Sequence, residues 1–414
     1  MTMRPYNHKK DRKAVHRVLR EVGWLPSEDP EVVAAQDAFT TGARAFVSDL
    51  AGAPECLVST MPGTIKYLDE ELSLCCVTGV CTSKVARKQG LAAKLTAHAV
   101  AQCAADGAEV AGLGFFEQGF YDRFGFGTGV YELNSRFDPA DLTVTARPRV
   151  PVRITMKDWR EVHAARLRSL RRHGGATVLT PAFTRLRMTN MEKLRKGFGL
   201  GYRDGKGRIT HHFWCINPEG QSGPLNIMWF SFETYEQFLE LLALVKGLGD
   251  EIRTVTMTNP SHVQMQDLVS HPARSSTARE DSPHRTGTTG SAFWQLRIND
   301  LAACLKKTHL GCEPFSFNLE LADPIEAFLG KGERWKGAGG NYVVTLGKRS
   351  SAVRGTKCGL PTLVATVNAF TRMWIGAVPA TTLAITDRLS GEARLLAKLD
   401  EAFCLPKPYL NWFF

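Results

Sequence analysis

The residues best suited to chemistry lie between Leu72 and Gly127. The run LSLCCVTGVCTS reads as a strand, and Val85-Ala86-Arg87-Lys88-Gln89-Gly90-Leu91-Ala92 follows it. A helix then begins, with apolar Leu91, Leu95, Ala99 and Cys103 at helical spacing and a stop at Asp106-Gly107. The first amides of such a helix have no intrahelical partner and carry the positive end of its dipole, so the turn is an anion site. Gly90 has no Cβ and Ala92 only a methyl, which lets phosphate oxygens approach the backbone. Arg87 and Lys88 add charge at the loop mouth, the arginine in a fork suited to phosphate. The expected ligand is a pyrophosphate. The loop has neither the GxxxxGK[ST] of a nucleotide P-loop nor the GxGxxG of a dinucleotide fold, and a basic loop with one glycine also arises by chance.

The elements around this loop suggest three units. The 414 residues are too many for a single core, and 43% hydrophobic with 22% charged residues is a globular balance that excludes general disorder. Up to about residue 140, a helix over 11–22 and strands over 55–59, 72–81 and 110–116 read as mixed α/β. The Arg147-Pro148-Arg149-Val150-Pro151 stretch suits a connector. A basic helix over 159–171, a hairpin turning at Asp204-Gly205, a strand over 226–230 and a helix over 235–247 repeat the order in outline. The Ser/Thr/Arg/Gly-rich residues 275–290 read as a mobile linker. Strands over 315–321, 341–346 and 362–367 and a helix over 392–403 then give an α+β unit ending in Trp412-Phe413-Phe414. The boundaries expected are 1–145, 146–290 and 291–414.

After the helix comes the strand EVAGLGFFE and then Gln118-Gly119-Phe120-Tyr121-Asp122-Arg123-Phe124-Gly125-Phe126-Gly127. The Arg/Gln-x-x-Gly-x-Gly/Ala loop with this turn resembles the acetyl-CoA-binding core of the GNAT N-acetyltransferases. With YDRFGFG, FWQLRINDL ending at Leu301, the late LDEAFCLP and the aromatic terminus, the chain is similar over essentially its full length to the enhanced intracellular survival (Eis) acetyltransferase family. The resemblance implies tandem GNAT-like domains, the central one without cofactor, a sterol-carrier-protein-like α+β domain, and a homo-hexamer. It implies that Val80, Cys81 and Thr82 line the pantetheine arm of acetyl-CoA and that Arg87, Lys88, Gly90, Leu91 and Ala92 cradle its pyrophosphate. Tyr121 is similar to the family's general acid, and Phe414 to the terminal residue whose α-carboxylate is the general base.

The chemistry is consistent with those roles. A neutral amine must attack the thioester and the leaving sulfur needs a proton. A tyrosine near pKa 10 is a fair donor to a thiolate, whereas an α-carboxylate near 3.5 must be desolvated or act by positioning the ammonium. The mechanism therefore expects the terminus buried near Tyr121. Several positions depart from the family. Ala92 replaces a glycine, Lys84 stands in place of a proline and should loosen the loop, and Asp122 places a charge that tends to raise the Tyr121 pKa. Phe116 is bulky and should narrow the substrate side, and Phe413 stands where an acidic neighbour can help hold amines.

The acceptor expected is a primary amine: aminoglycoside-like, polyamine or lysine. Glu28, Asp29, Glu31 and Asp37, beside Trp24, are the acidic candidates for holding it, although as single residues they also suit a solvated helix face. The net charge of +11 opposes the approach of a polycation. The competing reading is an inactive GNAT and sterol-carrier-like protein that binds an apolar ligand. Nucleic acid is not the expected partner, because the arginines of 160–173 alternate with Val162, Leu167 and Leu170 as a solvated helix face would. No secretory signal or membrane span is read, the ten cysteines follow no disulfide or CxxC framework, and the histidines lack zinc spacing. A cytoplasmic protein without a metal, its thiols reduced, is expected.

Overall fold

The computed structural model describes residues 2–217, 223–272 and 285–414. Helices pack on three sheets, each mixed in strand direction, which is the α/β class read from the sequence. The first sheet runs Thr2–Pro5, Arg44–Leu50, Ala53–Tyr67, Glu70–Thr82, Val110–Gly114, Trp294–Ile298 and Gly127–Thr128, with Ala176–Val178 added on Ala53–Tyr67. The second runs Gly287–Ser291, Glu132–Phe137, Val255–Thr258, Leu225–Ser231, Ile209–Ile216, Gly197–Arg203 and Val152–Ile154. The third runs Ser351–Arg354, Gly340–Leu346, Phe315–Ala322, Thr362–Thr366 and Leu389–Ser390.

Burial on both faces explains why the strands of the first sheet read as apolar runs without clean alternation. Val47 and Leu57 meet Val15, Val18 and Leu19 of helix His8–Glu21, while their neighbours Phe46 and Val58 join the cluster of Leu91, Leu95 and Ala99 on helix Leu91–Ala105. Successive side chains thus serve two helices on opposite faces.

Two strands cross the boundaries read from the sequence. Glu132–Phe137 lies in the second sheet, and Trp294–Ile298 inserts into the first between Val110–Gly114 and Gly127–Thr128. Of the expected linker, residues 275–284 lie outside the described residues, whereas Gly287–Ser291 is a strand paired with Glu132–Phe137. Its Thr and Gly residues carry no apolar pattern because four of its five residues are exposed, so backbone pairing holds the strand without a core face.

The aromatic tail leaves the third sheet. Trp412 packs on Arg166 and Phe414 binds the first sheet, so the tail joins the units instead of filling a cavity of its own. All ten cysteines are unpaired thiols, six of them buried. Among the described residues, no helix is long and apolar enough to cross a membrane, and no three His, Cys, Asp or Glu side chains are grouped to hold a metal.

Candidate active site

Two parallel strands open the site. Glu70–Thr82 pairs with Val110–Gly114 at Leu74↔Val110, Cys75↔Ala111 and Cys76↔Gly112, and beyond these residues the strands part. A bulge opposite Leu57–Ser59 bends the departing strand, where Gly79 takes φ +64. A left-handed backbone of this kind suits glycine. The slot that results continues into the basic loop and the start of helix Leu91–Ala105.

The loop matches its sequence reading in most respects. Gly90 is left-handed at φ +75, a Cβ there would meet nothing within 4 Å, and the helix start has no side-chain cap. The amides of the first turn therefore face outward without a protein acceptor. Arg87 and Lys88 are exposed. Lys84 tightens the loop, contrary to expectation: its amide donates to Glu21 Oε2 at 2.8 Å, a bond that a proline could not make. Val80, Cys81, Thr82, Arg87, Lys88, Gly90, Leu91 and Ala92 all line one cavity of about 610 Å³.

Trp24 and Phe116 line that same cavity, on the side proposed for the cofactor. Phe116 is 77% exposed. The acidic candidates are engaged elsewhere. Asp37 binds Arg12 at 2.9 Å and His16 at 2.8 Å, which holds its carboxyl below the usual range against the opposing effect of burial. Asp29 caps helix Pro30–Gly42 by accepting from the Glu31 amide at 2.7 Å, Glu31 pairs with Lys193 at 2.6 Å, and Glu28 is exposed beside Arg20. These carboxylates cap a helix, pair with arginine and lysine or hydrogen-bond to histidine, and they build no acidic wall.

Tyr121 sits on the short helix Gln118–Asp122, which Glu117 caps at the Gly119 amide. Its ring packs edge-on against Phe120, Phe126 and Phe116, and the residue is buried. Burial raises its pKa well above the ordinary tyrosine value, with Glu117 and Cys81 adding to the shift. Asp122 is not the cause expected from the sequence, because its carboxylate turns away and accepts from Gln295 Nε2 at 2.6 Å. The turn is clamped from the third unit by Asn368, whose Nδ2 donates to the carbonyls of Asp122 and Phe126 at 2.7 and 2.9 Å. Beneath it, the fully buried Arg297 pairs with Asp323 at 2.7 Å and donates to the Phe124 carbonyl.

Phe414 is buried, and its main-chain oxygen accepts from the Gly114 amide at 3.0 Å. The chain end thus reaches the strand that leads into the Tyr121 turn. Its ring and that of Tyr121 belong to different apolar clusters.

A second cavity, of about 450 Å³, lies in the second sheet and went unread in the sequence. There too two parallel strands part, after Ile227↔Met257. The helix that follows, Tyr235–Lys246, begins closed to phosphate: Thr234 Oγ1 accepts from the Gln237 amide, and Glu236 occupies the first turn. Arg166 lines this cavity and is 5% exposed, which corrects the expectation of a solvated face for that arginine. Its spacing carried no signal, because the Trp229 and Trp412 rings that shelter it are remote in sequence.

The comparisons agree with this geometry. Residues 55–129 match the acetyltransferase (GNAT) domain and residues 332–411 the sterol carrier protein domain. The chain carries a GNAT acetyltransferase domain and a sterol carrier protein domain. Three solved structures share the fold over all of both chains: a conserved Enterococcus faecalis protein described as a probable N-acyltransferase (TM-score 0.77, 16% identity), a GCN5-related N-acetyltransferase of Anabaena variabilis (0.76, 12%) and Eis1 of Mycobacterium abscessus (0.75, 13%). At these identities the likeness is one of fold. No curated protein matches the sequence.

Proposed function

We propose that this protein transfers the acetyl group of acetyl-CoA directly to a primary amine. The observation that carries the reading is the slot that opens beyond Cys76 and Gly112 and leads to an uncapped helix start beside Arg87 and Lys88. An extended thioester arm fits between parting strands, where backbone groups lack a partner strand, and a pyrophosphate fits the free amides and the two cations.

In this reading Val80, Cys81 and Thr82 line the arm and Gly90, Leu91 and Ala92 surround the pyrophosphate. The amine nitrogen attacks the thioester carbon, the C–N bond forms and the C–S bond breaks. Tyr121 gives its hydroxyl proton to the departing sulfur. The burial that keeps Tyr121 protonated also disfavours a free thiolate in the same site, so the two stay matched for proton transfer. The carboxylate of Phe414, fixed at Gly114, takes up the ammonium proton directly or through water before attack, and the second proton that the nitrogen sheds as the amide forms returns to Tyr121. The central GNAT-like unit serves without a cofactor, since its helix start is already capped.

Thiol release from acetyl-CoA, followed across primary amines with the native C-terminus intact, tests the proposal. Amine-dependent release is expected. Acetyl-CoA that neither binds nor turns over would refute it.

A further inference from the structure

The cavity of the second sheet holds arginines that no carboxylate among the described residues pairs with. Arg166 places its guanidinium 4.5 Å from the Trp229 ring centroid and 3.7 Å from that of Trp412. Arg187, 5.8 Å from the Phe413 ring centroid, and Arg195 line the same cavity. Among the described residues none of the three has a carboxylate partner. They also oppose one another: after burial itself, Arg187 weighs against the charge on Arg166 and Arg195 against that on Arg187. Arg195 is exposed and Arg187 half-buried, but Arg166 is buried; a guanidinium does not escape by losing its proton at neutral pH, and a buried charge without a partner is costly.

The one acid in the cavity does not supply the missing charge. Burial pushes the Glu132 carboxyl up to about 8 against the opposing effect of the Leu410 amide, and none of the three arginines forms an ion pair with it. Its Oε1 is buried and has no hydrogen-bond partner. Two unmet demands therefore share one pocket, for an anion at the arginines and for a hydrogen-bond partner at Glu132.

The pocket also adjoins the proposed reaction centre. Phe293 and Phe413 line it. The Phe293 carbonyl accepts from the Phe115 amide at 2.9 Å, and Phe414, next to Phe413, accepts from Gly114. Both bonds fall at the end of the strand that bounds the acetyl-CoA slot.

We propose that this cavity is the acceptor pocket and that it selects a primary amine that also carries a carboxylate or phosphate, with the anion seated between Arg166 and Arg187. The inference rests on the acetyl-transfer reading. The anion takes no part in bond making: it orients the amine that forms the new C–N bond as the thioester C–S bond breaks. Glu132 offers its unpartnered oxygen to a polar group of the same ligand. A polycation finds arginines here where it needs acids, and the net charge of +11 repels it at longer range.

The test uses amines matched except for the anion: phosphoethanolamine against ethanolamine, and 4-aminobutanoate against butylamine, with spermidine as the polycation. Thiol release gives kcat/KM, and quenching of tryptophan fluorescence without acetyl-CoA gives binding, since Trp229 and Trp412 pack on Arg166. The anionic member of at least one pair should have a kcat/KM about 10-fold or more above its partner, as a charge-assisted hydrogen bond would give. Arg166→Gln should remove both that preference and the quenching, and Arg166→Lys should recover part of each. Arg187→Gln, at a half-buried position, provides the same test should Arg166→Gln fail to fold. Equal kcat/KM within both pairs, preference for spermidine, or quenching that survives both glutamine variants would overturn the inference. Release that ignores the anion refutes the inference alone, whereas no release with any amine and no acetyl-CoA binding refutes the acetyltransferase and the acceptor role together.

Discussion

The amide of Gly114 donates to the main-chain oxygen of Phe414 at 3.0 Å, which fixes Phe414 to the strand edge that bounds the slot. The absence of a side chain at Gly114 permits this, since a Cβ there would lie 2.9 Å from that oxygen. Gly114→Ala should push the terminus away and lower kcat by about 10²-fold, the cost of roughly an ångström of misplacement. A single residue added after Phe414 should act in the same direction. Acetyl-CoA affinity, measured by calorimetry, should stay unchanged in both variants. Full turnover in both would remove the carboxylate from the mechanism.

Tyr121→Phe removes the proposed acid and leaves the ring contacts with Phe120 and Phe126 in place. Turnover should fall by about 10²-fold or more, the usual worth of general acid catalysis, with the acetyl-CoA Kd unaltered. A matched loss of affinity would instead mark Tyr121 as a packing residue.

Arg87→Ala should raise the acetyl-CoA Kd by about 10-fold, as expected for one charged hydrogen bond to phosphate. The effect should shrink for acetyl-pantetheine, which lacks the pyrophosphate. Equal effects on both ligands would place Arg87 away from the phosphate.

Much of this site was legible in the sequence because it depends on local order. A strand, a basic loop with glycine and a helix start are contiguous, so Val80, Cys81, Thr82, Arg87, Lys88, Gly90, Leu91 and Ala92 line one cavity. The acceptor side depends on pairings between distant residues and was not legible. Asp37 reads as a free carboxylate until His8–Glu21 brings Arg12 and His16 to it. Arg166 reads as a surface arginine until a strand and the chain terminus bring Trp229 and Trp412 against it. The domain boundaries blur for the same reason: Trp294–Ile298 joins a sheet whose other strands lie far upstream, and its Gln295 and Arg297 brace the Tyr121 turn.

Glu132 gives a pH dependence of stability. Its folded pKa, pushed up to about 8 from 4.5 by burial, means that the native state keeps a proton that the unfolded chain releases above 4.5. Its contribution is therefore full below pH 4.5 and declines as pH rises to 8, by up to about 1.4 kcal/mol per pH unit. Glu132→Gln removes this slope. Denaturant titrations at pH 5 and pH 8 should differ less for the variant than for the wild type, and identical differences would show that Glu132 ionises freely in the fold.

Transfer of a deuterated acetyl group is the most direct test of the central claim. The intact protein is incubated with deuterated acetyl-CoA and the amine panel, and the amines are weighed by mass spectrometry. An amine that gains the labelled acetyl group in wild-type reactions, and gains it far more slowly with Tyr121→Phe, is the result expected. Amines that all remain unlabelled while the wild-type protein binds acetyl-CoA would contradict it.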